Sequence, residues 1–246
     1  MLKKRLILVL TFNDGVLFRT KKFIADYRYT KNFIDLWSAD EIILLDISKK
    51  NRLNEKFLEI VKFFSLNCFL PISVGGGIRS FKDAVNLFKQ GADKIVLNSS
   101  TYINPDLIGK ISKVFGSQSI IHSIDCRKVK KNKYEVIINN TLKTNLDPIQ
   151  WAKIAIQNGC GELLINSIDN DGSLLGYDLE LINLIVKKVN VPCLALGGAG
   201  NWDHILQLFK KTNISGACTQ NIYHFTNESL KSAKEYLKKN KVLIRQ

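Results

Sequence analysis

The chain has 246 residues, of which 46% are hydrophobic and 24% are charged, and its formal net charge at pH 7 is +14. These proportions are typical of a globular protein with a substantial core and exclude a disordered chain. The lysines are spread over helix faces without an aromatic platform or a basic arm, so we do not expect nucleic-acid binding. The positive charge instead indicates either a field that attracts anionic metabolites or a source organism whose proteins are generally rich in lysine.

The cysteines and the amino terminus indicate where the protein works. Five cysteines lie far apart without a C-x-x-C pair, which predicts neither a metal site nor a disulfide framework and suits a reducing cytoplasm. The opening MLKKRLILVLTF resembles a signal peptide, but its apolar run is short, lacks a cleavage site and continues into Asn13-Asp14-Gly15. We predict a buried first strand, and no apolar run approaches the roughly 20 residues that cross a membrane.

Short apolar runs alternate with amphipathic runs along the whole chain. The apolar runs predict eight main strands, in chain order Leu6–Leu10, Ile42–Asp46, Ile72–Val74, Lys94–Leu97, Ile120–Asp125, Leu163–Asn166, Cys193–Leu196 and Gly216–Thr219. A further strand, Val136–Ile138, falls in an insertion. Helix start signals precede five of the amphipathic runs, at Ser80, Asn104-Pro105, Asp147-Pro148, Asp178 and Asn201.

Eight strands, each followed by a helix, predict a single-domain α/β fold, a parallel (β/α)8 TIM barrel over residues 1–246. An open doubly wound sheet is the alternative, but an internal repeat of about 120 residues favours closure. The repeated segments begin at Glu41 and Glu162, at Val74 and Leu196, and at Asn98 and Asn221. We therefore predict two similar (βα)4 halves.

The carboxyl ends of barrel strands carry the functional groups of such folds. Two of these ends are glycine turns that run into helices, VGGGIRS and LGGAGNW, where backbone N–H groups can point at an anion; tight connections are the alternative. Their half-barrel spacing predicts a substrate with a phosphate at each end. The predicted phosphate-binding residues are Gly75, Gly76, Gly77, Asn98, Ser99, Asp171, Gly172, Gly197, Gly198, Gln220 and Asn221.

Asp125 closes the strand SIIHSID and is the candidate for acid–base catalysis, with a helix cap or a loop salt bridge to Arg127 as the structural alternative. His122, three residues earlier, is predicted to pack in or behind the barrel. His204 and His224 fall in or near helix patterns, and the three histidines form no metal-binding pattern.

Four charged residues lie at the opposite end, where strands begin: Arg5, Glu41, Lys94 and Glu162. Two are positive and two are negative. Because buried charges must be paired, they predict a neutral ring that closes the bottom of the barrel.

These motifs, together with NDG, LLDI, GADKIVLNS, SIDNDG and GYD, make the chain resemble the cyclase subunit of imidazole glycerol phosphate synthase over essentially its whole length. The resemblance implies a cofactor-free barrel that binds a two-phosphate substrate and closes an imidazole ring, with lyase-type cleavage, using ammonia from a separate glutaminase docked beneath it. It further implies that Arg5, Glu41, Lys94 and Glu162 form the gate at the ammonia entrance. Asp125 matches one of the family's two catalytic aspartates.

This chain departs from the family at its substrate end. The second catalytic aspartate should close the first strand, but Thr11 stands there, and a hydroxyl does not exchange protons near neutral pH as a carboxylate does. Arg19 replaces a loop lysine, and Asn166 stands where a small hydroxyl residue is usual. Gln220-Asn221 replace a small pair at one phosphate site. The four gate residues, by contrast, are all retained.

The asymmetry also resembles a subgroup of the family that is encoded with glycan pathways, to which SIDCRK and LINSIDNDG look closest. We therefore predict a barrel that takes ammonia from a glutaminase and, with a third protein, supplies it for amidation of a nucleotide-linked sugar in lipopolysaccharide or other surface glycan biosynthesis. Its own ring closure is expected to be weak or lost.

Two alternatives stay open. The first is an authentic cyclase of histidine biosynthesis, which makes imidazole glycerol phosphate and AICAR, with Asp125 performing both proton transfers or Asp46 or Asp14 replacing the missing acid. The second is a non-enzymatic barrel that binds a phosphorylated ligand.

Overall fold

A computed structural model of the chain describes residues 3–21, 24–28, 39–139, 141–220 and 230–245. Its strands, in chain order, are β1 (Arg5–Asn13), β2 (Val16–Lys21), β3 (Ile24–Arg28), β4 (Glu41–Asp46), β5 (Ile72–Gly75), β6 (Lys94–Leu97), β7 (Ile120–Lys130), β8 (Lys133–Ile138), β9 (Leu142–Lys143), β10 (Glu162–Ser167), β11 (Cys193–Leu196) and β12 (Gly216–Thr219).

Eight of these strands close into a parallel barrel. Their order around the barrel is β1, β4, β5, β6, β7, β10, β11 and β12, and β12 pairs with β1 to complete the circle. All eight neighbouring pairs are parallel. The predicted (β/α)8 barrel is therefore confirmed, and each predicted main strand overlaps one of the eight barrel strands.

Among the described residues, helices follow seven of the eight barrel strands, whereas β1 continues into the strands β2 and β3. The helices are α1 (Glu55–Asn67), α2 (Phe81–Lys89), α3 (Ser99–Ile103), α4 (Asp106–Phe115), α5 (Pro148–Gln157), α6 (Leu179–Val186), α7 (Trp202–Lys211) and α8 (Leu230–Lys239). None of the described helices is long and apolar enough to cross a bilayer.

The helix start signals work through hydrogen bonds to free backbone N–H groups. The side chains of four predicted caps accept such bonds, at Ser80, Asp147, Asp178 and Asn201. Helix α4 is the exception, because Pro105 occupies the cap position and no side chain caps this helix.

Two antiparallel hairpins extend the barrel at its carboxyl end. Strands β2 and β3 continue from β1, whereas β8 folds back on β7 and contains the predicted strand Val136–Ile138. The extension of β7 beyond Asp125 is what carries this second hairpin.

Side chains alternate between the inside of the barrel and the layer beneath the helices. The inward apolar set is Ile7, Val9, Ile43, Leu45, Val96, Ile121, Leu164, Leu194, Leu196 and Cys218. On β7 this alternation turns Ile121, Ser123 and Asp125 inward and His122 outward, where its ring lies 5.5 Å from that of Trp151 on α5. The predicted packing of His122 is therefore behind the barrel.

Candidate functional site

The four charged residues at strand starts meet at the amino end of the barrel and form what we call the charged ring (Arg5, Glu41, Lys94 and Glu162). Arg5 donates to Glu41 at 2.7 Å and also to Glu162. Lys94 lies 2.8 Å from Glu162 and 3.3 Å from Glu41. Each carboxylate thus contacts both cations, and the ring is closed and electrically neutral.

Pairing favours the ionised forms of Glu41 and Arg5, although both side chains are largely buried. Burial alone would raise the pKa of Glu41, but the charges of Arg5 and Lys94 lower it below its usual value. Burial likewise opposes the charge of Arg5, yet the carboxylates of Glu162 and Glu41 raise the pKa of its guanidinium. The amino end therefore presents fixed charges in a low-dielectric setting.

A fifth charge, Arg245, lies beside the ring and was not predicted from the sequence. The carboxyl-terminal segment pairs with the start of the chain, since the N–H of Arg245 donates to the carbonyl of Lys4 at 2.9 Å. This places the Arg245 guanidinium 3.6 Å from the Glu41 carboxylate, half-exposed beside the ring. Nothing in the local sequence marks this contact, because it depends on where the two termini meet.

Asp125 lies buried at the carboxyl end of the barrel. Asn98 donates to one carboxylate oxygen at 2.8 Å, and Asn166 donates to the other at 3.0 Å. The hydroxyl of Ser123 lies 3.5 Å from the second oxygen. Arg127 pairs instead with Asp169 at 3.9 Å, so the alternative of a salt bridge between Asp125 and Arg127 is wrong.

The environment of Asp125 suits a proton-transfer group. Burial raises the pKa of Asp125, and the hydrogen bonds from Asn166, Asn98 and Ser123 only partly oppose this rise. A carboxyl with a raised pKa exchanges protons closer to neutral pH. Asn98 and Asn166 thus act on the acid itself, a role for these two amides that the sequence analysis did not predict.

Thr11 lies across the barrel mouth and is held in place by two neighbours. Its hydroxyl donates to the carbonyl of Phe18 on β2 at 2.6 Å. The side-chain amide of Gln220 donates to the Thr11 oxygen at 3.0 Å and also reaches the Phe18 carbonyl. The position at which the resemblance implies a second acid therefore holds a neutral hydroxyl that is hydrogen-bonded to Phe18 and Gln220.

Asp46 and Asp14, the two alternative acids, lie in surroundings that differ from those of Asp125. The oxygens of Asp46 accept bonds from the backbone N–H and hydroxyl of Ser48 and from the N–H of Leu53, which fixes the loop after β4. Asp14 lies in the exposed turn between β1 and β2. Of these three carboxyl groups, Asp125 is the one that is both buried and turned into the barrel.

The two glycine turns are built alike in both halves of the barrel. Gly76 has φ +92°, and a Cβ there would lie 2.1 Å from the carbonyl oxygen of Asp46. Gly197 has φ +95°, and a Cβ there would lie 2.7 Å from the carbonyl oxygen of Ser167. Each turn therefore packs against the end of the preceding barrel strand, and only glycine fits both the angle and the space.

The cavities beside these turns differ in size. The first holds about 410 Å³ and reaches from the first glycine turn to Asp125. The second holds about 30 Å³ and lies between Thr11, Gln220 and the loop after β10. Of the predicted phosphate-binding residues, Gly76, Gly77, Asn98 and Ser99 line the first cavity and Asp171, Gly172 and Gln220 line the second.

The other predicted site residues have different positions. Gly75 is the buried last residue of β5, and Gly198 packs against the carbonyl oxygen of Gly176. The side chain of Arg19 and the whole of Asn221 and His224 lie outside the described residues. His204 accepts a bond from the N–H of Gly200 at 3.1 Å.

Two arginines at the first cavity were not predicted. Arg52 and Arg79 both line it, and Arg79 directly follows the first glycine turn in VGGGIRS. Its place in that motif is a signal that could have found it. Among the described residues, no group of three or more histidine, cysteine, aspartate or glutamate side chains is arranged to hold a metal ion.

Comparison with known proteins adds the family context. Residues 9–228 match the model of the histidine biosynthesis protein family. The chain is 39% identical to the imidazole glycerol phosphate synthase subunit HisF of Hydrogenobaculum sp. (strain Y04AAS1), over 251 aligned positions that cover both chains completely. It is 38% identical, again over the full length of both chains, to the subunit of the same name in Bacillus cereus (strain G9842).

Proposed function

Because the chain belongs to the histidine biosynthesis protein family, we propose that it is the barrel subunit of a glutamine-dependent synthase that receives ammonia from a glutaminase and closes imidazole rings only weakly. The observation that carries this proposal is the contrast between the complete charged ring and the single acid at the opposite end. The ring is closed by four ion pairs, whereas Thr11 is bound to Gln220 and Phe18.

The interior of the barrel supports a path for ammonia from the ring to Asp125. Between these two points the inward side chains are apolar, among them Ile7, Val96 and Leu164. Transfer of an ammonium ion from water into such surroundings costs a large desolvation free energy, whereas transfer of neutral ammonia costs far less. The ring therefore marks the entrance to an interior that favours the nucleophilic form.

The glutaminase partner is proposed from the position of the ring. Charged residues at the amino end of a barrel ordinarily serve stability, because active sites lie at the carboxyl end. Here two cations and two carboxylates converge on the barrel axis, and Arg245 brings a further charge to the same face. A subunit docked on this face would release its product directly over the ring.

The weak ring closure follows from the chemistry of Thr11. Ring closure in this family is expected to use two acids, and one positioned acid or base contributes typically 10² to 10⁴ in rate. Asp125 alone is left for this work, supported by Asn98 and Asn166. Transfer of the ammonia to a nucleotide-linked sugar, through a third, sugar-amidating protein, is the finer form of this proposal and stays a prediction.

An authentic cyclase of histidine biosynthesis is the second candidate. Its support is the full-length identity of 38–39% to subunits named for imidazole glycerol phosphate synthase. This candidate requires Asp125 to perform both proton transfers of ring closure.

Ring closure with ammonium salt separates the two candidates. The assay measures the loss of absorbance of the cyclase substrate, ribulosyl aminoimidazole carboxamide ribotide. It compares the native chain with Thr11→Asp and with the control Thr11→Asn. We expect the native chain to close the ring roughly 10²- to 10⁴-fold more slowly than the relatives. Thr11→Asp should recover part of this rate, whereas Thr11→Asn, whose side chain has a similar shape but no acid, should recover none. A native rate equal to that of the relatives would establish the authentic cyclase.

A further inference from the structure

We propose that the side chain of Arg52 binds the phosphate of a phosphate-ester ligand at the first glycine turn, and that Asp46 is the positioning residue that holds Arg52 there. The inference rests on the proposed function, since it places the substrate in the first cavity, and it names the side chain that anchors that substrate. Its basis is a strained loop after β4, residues 47–53, which carries Arg52 to the wall of this cavity.

The start of helix α2, which follows the first glycine turn, is already occupied by a carboxylate. Asp83 accepts hydrogen bonds from the backbone N–H groups of Arg79 and Ser80, both at 2.9 Å, and the Ser80 hydroxyl accepts from the N–H of Asp83. The chain's own negative charge therefore satisfies these donors and the helix dipole. A phosphate at the turn consequently needs a positive side chain to hold it.

Arg52 is fixed beside the turn by two contacts. Its Nε donates to the carbonyl of Ser48 at 2.6 Å. Its aliphatic part lies against Gly77, where an added Cβ would lie 2.5 Å from the Cβ of Arg52 and 2.8 Å from its Cδ. Arg52 and Gly77 both line the first cavity, and no carboxylate among the described residues pairs with this guanidinium. Its remaining N–H groups form the planar fork that suits a phosphate.

The loop that carries Arg52 is strained, and Asp46 holds it. Asn51 and Leu53, on either side of Arg52, have φ +50° and +57°, a left-handed region that leucine rarely adopts. Such a conformation persists only where surrounding contacts impose it. The buried carboxylate of Asp46 supplies these contacts, because it accepts from the N–H of Leu53 at 2.7 Å and from the N–H of Ser48 at 2.9 Å. Asp46 thus binds both ends of the loop and sets the position of Arg52.

Arg79 also lines the first cavity, but it is not fixed in this way. Its side chain is exposed, and within the described part of the chain it has no hydrogen bond or ion pair. Arg52 is therefore preorganised for a phosphate, whereas Arg79 contributes positive charge without a fixed position. The cavity holds about 410 Å³ and continues from the turn to Asp125, so a phosphate bound by Arg52 leaves the organic part of the ester facing the acid.

Titration calorimetry of the native chain, without glutaminase or ammonia, tests the role of Arg52. Ribose 5-phosphate is the ester probe, and inorganic phosphate and ribose represent its two parts. We expect the native chain to bind the ester more tightly than inorganic phosphate and to bind ribose most weakly. Arg52→Gln should weaken ester binding about tenfold or more. Lys50→Gln removes an exposed charge from the same loop and should change ester affinity by less than about twofold.

A double-variant comparison tests the positioning role of Asp46. Asp46→Asn keeps the size of the side chain but removes its charge, and by releasing the loop it should weaken ester binding about threefold or more. The same change made in Arg52→Gln should have almost no further effect, because the side chain that Asp46 positions is gone. Ser48→Ala removes a smaller part of the same contacts and should repeat this pattern if Asp46→Asn folds poorly.

The inference is overturned if Arg52→Gln binds the ester like the native chain, if the native chain binds neither phosphate probe, or if inorganic phosphate binds as tightly as the ester. An equal loss of affinity from Asp46→Asn in both backgrounds would overturn the positioning role. None of these measurements involves ammonia, so these results would leave the ammonia-receiving function standing. Conversely, a failure of glutaminase coupling together with the expected phosphate binding would overturn the proposed function alone.

Discussion

The two ends of the barrel hold buried carboxylates in opposite ways. At the amino end, the pKa of Glu41 is lowered, because Arg5 and Lys94 outweigh the effect of burial. At the carboxyl end, the pKa of Asp125 is raised, because its partners are the neutral amides of Asn98 and Asn166 and burial prevails. Both carboxylates project into the same barrel, so the charge of the partners decides the difference.

This comparison separates a structural use of charge from a chemical one. A carboxylate between two cations stays ionised and keeps its geometry over a wide pH range. A carboxyl held by neutral donors is fixed in place but can change its protonation state at a higher pH than an exposed carboxyl does. The ring therefore suits a permanent entrance, and Asp125 suits proton transfer.

The largest expected effect comes from reversing one charge of the ring. Glu162→Lys would leave the Glu41 carboxylate facing four cations, namely the introduced lysine, Arg5, Lys94 and the half-exposed Arg245, and an uncompensated buried charge costs about 3–5 kcal/mol. We expect urea denaturation to show a loss of this size, together with loss of glutamine-dependent ammonia transfer. Glu59→Lys, on the exposed face of α1, is the matched control and should change stability by less than about 0.5 kcal/mol.

A stable Glu162→Lys barrel that still couples glutaminase to its acceptor at full rate would contradict the gate. In that case the ring would be a closure of the barrel bottom and nothing more. The same assay in Glu162→Gln, which keeps the shape of the side chain, measures the effect of charge without a reversal.

A smaller effect is expected from removing the amide groups that donate to Asp125. Asn166→Ala removes a donor to the ionised carboxylate, and hydrogen bonds to charged groups are worth about 1.5–3 kcal/mol. The ionised form loses this support while the protonated form does not, so the pKa of Asp125 should rise further. A 13C NMR titration of the carboxyl measures the change directly.

A parallel variant and a control variant accompany that titration. Asn98→Ala should shift the pKa of Asp125 in the same direction, because its amide bonds to the other oxygen. Asn158→Ala should leave it unchanged, since that amide donates to the carbonyl of Ile154 on α5. A pKa that falls or stays constant in Asn166→Ala would mean that the amides only position Asp125.

The sequence predicted the ring because strand starts in a parallel barrel share one end. Arg5, Glu41, Lys94 and Glu162 each begin an apolar run, and alternation turns all four inward. Arg245 was missed because its contact with Glu41 depends on the pairing of the two chain ends, which leaves no periodic pattern.

The same reasoning explains what was missed at the mouth. Thr11 and Gln220 were each identified as departures from the family, but their contact crosses from β1 to the end of β12 and involves the backbone of Phe18. Asn98 was predicted beside a phosphate, whereas its inward position on the strand next to β7 brings its amide to Asp125. Strand order places these side chains near one another, and only side-chain packing selects the bonds.

His122 extends the comparison to a buried titratable group with neither ionic nor amide partners. It is fully buried, and within the described part of the chain neither ring nitrogen has a hydrogen-bond partner. Burial lowers its pKa from 6.5 to about 4. The unfolded chain therefore binds a proton between these pH values that the folded chain does not, and the free energy of unfolding falls as pH drops through this window, by about 2 kcal/mol at pH 5.

Urea denaturation at pH 7.5, 6 and 5 should show this loss of stability in the native chain and in the control His204→Gln, and a much smaller loss in His122→Phe. The measurements at pH 7.5, 6 and 5 stay above the usual pKa of Glu41, 4.5, which its ion pairs lower further in the folded chain, so protonation of Glu41 contributes little to them. An equal loss in His122→Phe would assign the acid sensitivity to other groups.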